Sequence, residues 1–217
     1  MNLRVPTPHE AIADALVHLT GVVAALVGTA ILVVMGATGG RPLELIALLI
    51  YSASLLAMLG CSAAYNHVCS SRYRDLLHRF DNSAIFVMIA GTYTPFTMLR
   101  LENRWAIILT GLVWFTAAAG VALRLLNPRL FDRLSIGFYL SFGWIGVIAC
   151  KPFAASLQLS TFILLAVGGV LYTVGVIFHV WQRLHFQNAI WHGFVVAAAG
   201  VHYFAVLDEI AIAHTIS

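Results

Sequence analysis

The side chains best equipped for chemistry stand at the ends of long apolar runs. Ser62, Tyr65, Asn66 and His67 close one run, Asp81, Asn82 and Ser83 open the next, and Asn188 and His192 open the last. A polar group beside lipid is costly, so such residues face a bundle interior or mark function. Hydroxyl and amide groups form hydrogen bonds, and carboxylate and imidazole also ligate metals. His18 and His179 occupy the matching ends of two further runs. His202, on the same run as His192, would lie about 15 Å further along a helix rising 1.5 Å per residue. That separation is too large for the two to share an ion.

The runs that must position these groups dominate the chain. Of 217 residues, 61% are hydrophobic and 10% charged, with a mean hydropathy of +0.91. Soluble domains run at about 45–50% apolar and about 25% charged, so lipid is the solvent for most of this chain. Seven apolar segments follow: residues 15–37, 43–65, 83–99, 105–125, 134–150, 157–181 and 189–207. The fold expected is therefore an all-α integral membrane protein, one domain over residues 1–217 forming a seven-transmembrane-helix bundle. Six spans is the alternative count, since the third and fifth segments are short and the fourth and fifth are diffusely bounded. Short loops hold nearly every charge and make neighbouring helices antiparallel.

Counting basic residues by loop gives an orientation. One side carries Arg4, Arg72, Arg74, Arg79, Arg124, Arg129, Arg133 and Arg183, eight in all, and the other Arg41, Arg100, Arg104 and Lys151. This bias predicts a cytoplasmic amino terminus and an outside Ser217. The formal charge of +3 then reads as an insertion signal, with no clustered basic face for a nucleic acid. Cys61, Cys69 and Cys150 form no Cys-x-x-Cys pair and read as packing residues. Gly21, Gly28, Gly143, Gly146, Gly168 and Gly169 read as points of close helix approach.

This topology brings the ends holding Ser62, Asp81 and His192 to one face. There the sequence resembles the hemolysin III branch of the progestin and adipoQ receptor family. Residues 81–86 with 90–96 are similar to its third-span signature, and Ile190 to Val195 with His202, Tyr203 and Phe204 to its seventh. Glu10, Asp14, His18 and Gly21 look like the amino-terminal motif, and Ser62 to Asn66 like the second-span Ser-x-x-x-His. The resemblance implies a seven-helix bundle in the inner membrane and a zinc ion near the cytoplasmic face. A second-span His and a seventh-span His-x-x-x-His would hold the ion, with a second-span Ser and a third-span Asp beside it. Zinc held that way would make a bound water nucleophilic.

Matched to this pattern, the metal positions are Asn66, Asn188 and His192, with His67 adjacent, and the catalytic pair is Ser62 and Asp81. Two of the three family histidines are thus asparagine here, a poor zinc donor beside imidazole. One functional class is a zinc-dependent hydrolase acting on lipid amide bonds at the cytoplasmic face. Another is a non-catalytic membrane-homeostasis or sensor protein, in which Asn66, Asp81, Asn188 and His192 form a hydrogen-bonded network. The family name adds cytolysis by pore formation, for which the sequence carries no signature. Membrane lipid is the partner either class implies.

Overall fold

The computed structural model describes residues 7–67, 71–101 and 103–215. Arg4, Cys69, Ser70 and Ser217 lie outside the described residues. The elements are α1 (Pro8–Thr38), α2 (Pro42–His67), α3 (Arg74–Leu99), α4 (Asn103–Leu126), α5 (Pro128–Gly143), α6 (Cys150–Ser156), α7 (Leu159–Val180) and α8 (Gln187–Thr215). Short 3₁₀ turns precede α3 at Ser71–Tyr73 and α6 at Ile145–Ala149.

The pattern of α1 explains why this architecture needs lipid. Its buried positions are Glu10, Asp14, His18, Gly21, Ala25, Gly28, Thr29, Leu32 and Gly36, a stripe at helical spacing. Its opposite face exposes Ile12, Leu16, Leu19, Val23, Leu26, Ile31 and Val34. A helix with polar groups inside and branched aliphatics outside has the reverse of a water-soluble surface. Six described helical stretches are long and apolar enough to cross a membrane, the α5 to α6 run Pro128–Ser156 counting as one. The protein is an all-α membrane protein.

Helix α3 falls outside that set because of its own chemistry. Its 26 residues reach about 39 Å, more than a hydrocarbon core of about 30 Å. Thr92, Tyr93, Thr94, Pro95 and Thr97 lower its apolarity, yet their hydroxyls are satisfied within the bundle. Thr92 Oγ1 donates to Met88 O at 2.9 Å and Thr94 Oγ1 to Ala90 O at 2.8 Å. Trp114 Nε1 donates to Thr94 Oγ1 at 3.1 Å, and Thr110 Oγ1 to Thr97 Oγ1 at 2.8 Å, fastening α4 to α3.

Helix α1 packs between α2 and α8, α2 packs on α3, α3 on α4, and α7 on α8, while α5 meets α7 sparsely. Small residues set the closest approaches. A Cβ on Gly21 would stand 2.7 Å from a Val196 methyl, and one on Gly28 2.9 Å from the Tyr203 ring, so α1 and α8 meet nearly backbone to side chain. Gly143, expected to do the same, has open space around it. Its role is positional: α5 ends there, its carbonyl accepts from Tyr93 Oη at 2.7 Å, and Gly146 N donates back to Tyr93 Oη at 2.9 Å. The apolar segment 134–150 is therefore broken in mid-course rather than one helix.

Candidate functional site

The amino terminus of α1 is closed by a capping box. Thr7 Oγ1 accepts from Glu10 N at 3.4 Å, and Glu10 Oε2 accepts from Thr7 N at 2.7 Å. Glu10 Oε1 meanwhile accepts from Phe186 N at 2.7 Å. Phe186 has φ 59, a left-handed conformation unusual for a bulky residue, so this bond helps fix the strained turn that starts α8. The first turns of α1 and α8 are thereby held in register.

One helical turn further in, Asp14 and His18 lie at i and i+4 on the buried face. His192 Nδ1 donates to Asp14 Oδ1 at 2.6 Å, joining α8 to α1. His18 Nδ1 faces the Asp14 carbonyl at 2.9 Å, and His18 Nε2 lies 3.2 Å from Ser62 Oγ on α2. The His18 and His192 rings meet at 4.2 Å between centroids. One ligand atom each from Asp14, His18 and His192 comes within 4.8 Å of the others.

Beside this cluster opens a cavity of about 320 Å³. Ser62, Asp81 and His192 are among the polar residues of its lining, with Asn82, Ser135 and His179, and Ser62 faces the Asp81 carboxyl. The remaining wall is largely apolar, with Met58, Ile85, Ile89, Phe96, Phe162 and Leu165 among its members. His202 also lines the cavity, and its Nε2 donates to Leu165 O at 3.2 Å. Such a space is shaped for an apolar chain with one polar end.

The expected site residues separate in this arrangement. Ser62, Asp81 and His192 share the cavity lining. Asn66 instead turns its Nδ2 back onto the Ser62 carbonyl at 2.9 Å. Asn188 is exposed in the first turn of α8, outside the cavity lining. His67 is exposed at the end of α2, and its Nε2 reaches His18 Nδ1 at 3.1 Å. The sequence reading missed the central role of Asp14 and His18. Their i, i+4 spacing just before an apolar run was the available signal.

These placements test the implied zinc set. Of Asn66, Asn188, His192 and the adjacent His67 two are imidazoles, but one asparagine is engaged with its own helix, the other is exposed, and His67 is engaged with His18. That set does not fit a zinc ion.

A sequence profile described as Haemolysin-III related matches residues 7–203. The chain belongs to this family. The Hemolysin-3 homolog of Bacillus subtilis (strain 168) is 36% identical over 201 residues, covering 93% of this chain and 94% of that one. Hemolysin-3 of Bacillus cereus is 32% identical over 198 residues, 91% of this chain and 90% of its own. The human Monocyte to macrophage differentiation factor is 31% identical over 208 residues, 93% and 84% of the two chains. Membership reaches the wider progestin and adipoQ receptor superfamily through that relative. The matches of this haemolysin-III related protein to its relatives extend across nearly the whole chain.

Proposed function

We propose that this protein binds an amphipathic lipid, with an acyl chain in the cavity and the head against Ser62, Asp81 and His192, and cleaves an amide bond at that head. The observation that carries the reading is a largely apolar cavity whose lining holds Ser62, Asp81 and His192 together. Sparse packing between α5 and α7 offers a lateral path from the bilayer. A water held between Ser62 and Asp81 gives a proton to the Asp81 carboxylate and adds to the amide carbon. The same proton then passes to the departing amine. Fatty acid and free amine are the products.

The bundle is read as seven spans in the inner membrane with its amino terminus in the cytoplasm, which puts the polar end at the inner leaflet. The basic-residue bias supports this orientation. A reporter active only outside the cytoplasmic membrane should work when fused after Ser217 and fail in the loop holding Arg72 and Arg74. The reverse pattern would overturn the orientation.

For the chemistry, the test is release of fatty acid from an N-acylated amino-alcohol lipid by protein in nanodiscs. Asp81→Asn should abolish release while native mass spectrometry still detects bound lipid. No release by the wild type, or undiminished release by the variant, would sink the hydrolytic reading. A non-catalytic reading has its own support, since Asp14, His192, His18 and Ser62 already bond α1, α2 and α8 together. On that reading Asp81→Asn alters stability alone.

A further inference from the structure

We infer that Asp14, His18 and His192 form a divalent-cation site, in which Asp14 and His18 of α1 join the retained seventh-span histidine in place of the two family histidines that are Asn66 and Asn188 here. The inference is independent of lipid hydrolysis and rests on four observations.

The donor set comes first. Two imidazoles and a carboxylate from two helices bring ligand atoms within 4.8 Å of one another. Tetrahedral bonds to zinc of about 2.0–2.2 Å place ligand atoms roughly 3.3–3.6 Å apart, so the set closes on an ion by side-chain rotations of about an ångström. Two histidines and one carboxylate with an open position is a recurring composition for catalytic zinc, and it also serves ferrous iron.

Orientation is the second observation. A metal-bound histidine ordinarily donates its other ring N–H to a carbonyl or carboxylate, which fixes tautomer and ring angle. His18 Nδ1 lies 2.9 Å from the Asp14 carbonyl, leaving Nε2 turned toward Ser62. Third, the 2.6 Å contact between His192 Nδ1 and Asp14 Oδ1 is a proton shared by two ligand atoms. A cation entering between them takes the place of that proton, which leaves to solvent.

Rigidity is the fourth. Close contact at Gly21 and Gly28 sets the separation of α1 and α8, and the bond from Phe186 N to Glu10 sets their register. The ligands therefore stand on rigid, registered elements. Their open side faces Ser62 and the cavity, the direction from which a water or a lipid carbonyl would complete the coordination.

Metal content distinguishes this site from the family pattern. The full chain, purified in nanodiscs and stripped with a chelator, is titrated with Zn²⁺ and separately with Co²⁺, whose visible absorption reports coordination by few ligands. One equivalent of either ion should bind. Asp14→Asn, His18→Gln and His192→Gln should each lose it, whereas Asn66→Ala and Asn188→Ala should keep it. His18→Cys should retain Co²⁺ and add a thiolate-to-cobalt charge-transfer band, a gain that does not depend on a variant failing to bind. The site is overturned if stripped wild type takes up neither ion, if His18→Cys binds cobalt without that band, or if the asparagine variants abolish uptake. Because no N-acylated substrate lipid is added to these nanodiscs, metal uptake is read separately from hydrolysis, and a protein that binds metal but releases no fatty acid sinks only the hydrolytic reading.

Discussion

The two ends of α8 each meet a buried carboxylate, and they handle it differently. At the far end Glu209, 3% exposed, pairs with the Arg100 guanidinium, whose Nη2 also donates to the Glu209 carbonyl at 3.0 Å. Its neighbour Asp208 accepts from Ser160 Oγ at 2.7 Å and Thr161 Oγ1 at 2.8 Å. At the near end, among the described residues, Asp14 meets imidazoles rather than a guanidinium. A guanidinium is permanently charged and holds no lone pair for a metal, so its pairing with a carboxylate is chemically closed. Neutral imidazole keeps a lone pair, so the near end stays open to a cation. The far end is a clasp joining α3, α7 and α8, and the near end is a site.

The sharpest way to break this contrast is to remove the fixed cation. Arg100→Ala leaves Glu209 buried without its partner, a change that ordinarily costs about 3–5 kcal/mol. Because the guanidinium is 27% exposed, the loss should lie near the lower end of that range. Unfolding of the purified protein in mixed micelles measures it, and Arg100→Ala with Glu209→Gln should recover part of the deficit. A loss well under 1 kcal/mol would mean the far end is no clasp.

Next in size is a change midway between the ends. A methyl group on Gly168 would overlap the His202 ring, so Gly168→Ala should cost about 1–3 kcal/mol by overpacking. Trimming the ring with His202→Ala should make the glycine change nearly neutral. If the two costs simply add, α7 and α8 do not meet through that ring and the ends are not rigidly joined.

Why the near end was only partly legible in the sequence follows from where apolar runs stop. The run 15–37 begins at the first residue after Asp14, while α1 itself starts at Pro8 behind its capping box. Hydropathy marks the part of a helix that touches lipid, not where its hydrogen bonding begins. Asp14 therefore fell outside the apolar segment, and His18, although assigned the right depth, lacked the carboxylate that gives it meaning. Ser62 and His192 were legible because polarity changes abruptly at their positions. Asn66 and Asn188 were placed by likeness to a pattern, and side-chain direction, which pattern does not carry, turned one onto its own helix and left the other exposed. At the far end α8 runs past residue 207 to Thr215, so Asp208 and Glu209 were hidden for the same reason as Asp14.

A smaller effect sharpens the contrast from the near side. Asp14→Asn keeps a carbonyl oxygen for the His192 N–H, removes the charge and turns the second oxygen, 3.7 Å from His18 Nδ1, into an amide donor. In metal-free protein its cost should be about 1 kcal/mol, the difference between a charge-assisted and a neutral hydrogen bond. Thermal unfolding after chelation should then rank it far below Arg100→Ala. Equal losses would make the near end a clasp as well, and the argument for an open ligand set would fail.

The smallest expected effect separates the core of the near end from its rim. On the part of α3 that precedes the apolar segment, His78 Nδ1 lies 3.0 Å from Arg124 Nη2, and its ring stacks on Tyr65 at 4.8 Å. Arg124 also donates to Asp132 Oδ1 at 3.0 Å and lies over the Phe131 ring. Burial, then the Arg124 charge, hold the His78 pKa below its ordinary value, with Arg74 acting the same way and Asp132 and Asp75 opposing. Folded protein therefore binds fewer protons at His78 than unfolded protein between the depressed and the ordinary pKa. Stability contributed by His78 is complete above the ordinary imidazole range and is lost as pH falls through that window. His78→Gln keeps an acceptor for Arg124 and cannot titrate, so wild type and variant should share one stability near pH 8 and diverge on acidification, the wild type falling faster. Denaturant unfolding at a series of pH values measures the divergence. A gap that opens toward alkaline pH would reverse the sign, requiring His78 to be favoured in its protonated form and the Arg124 contact to be something other than a donated hydrogen bond.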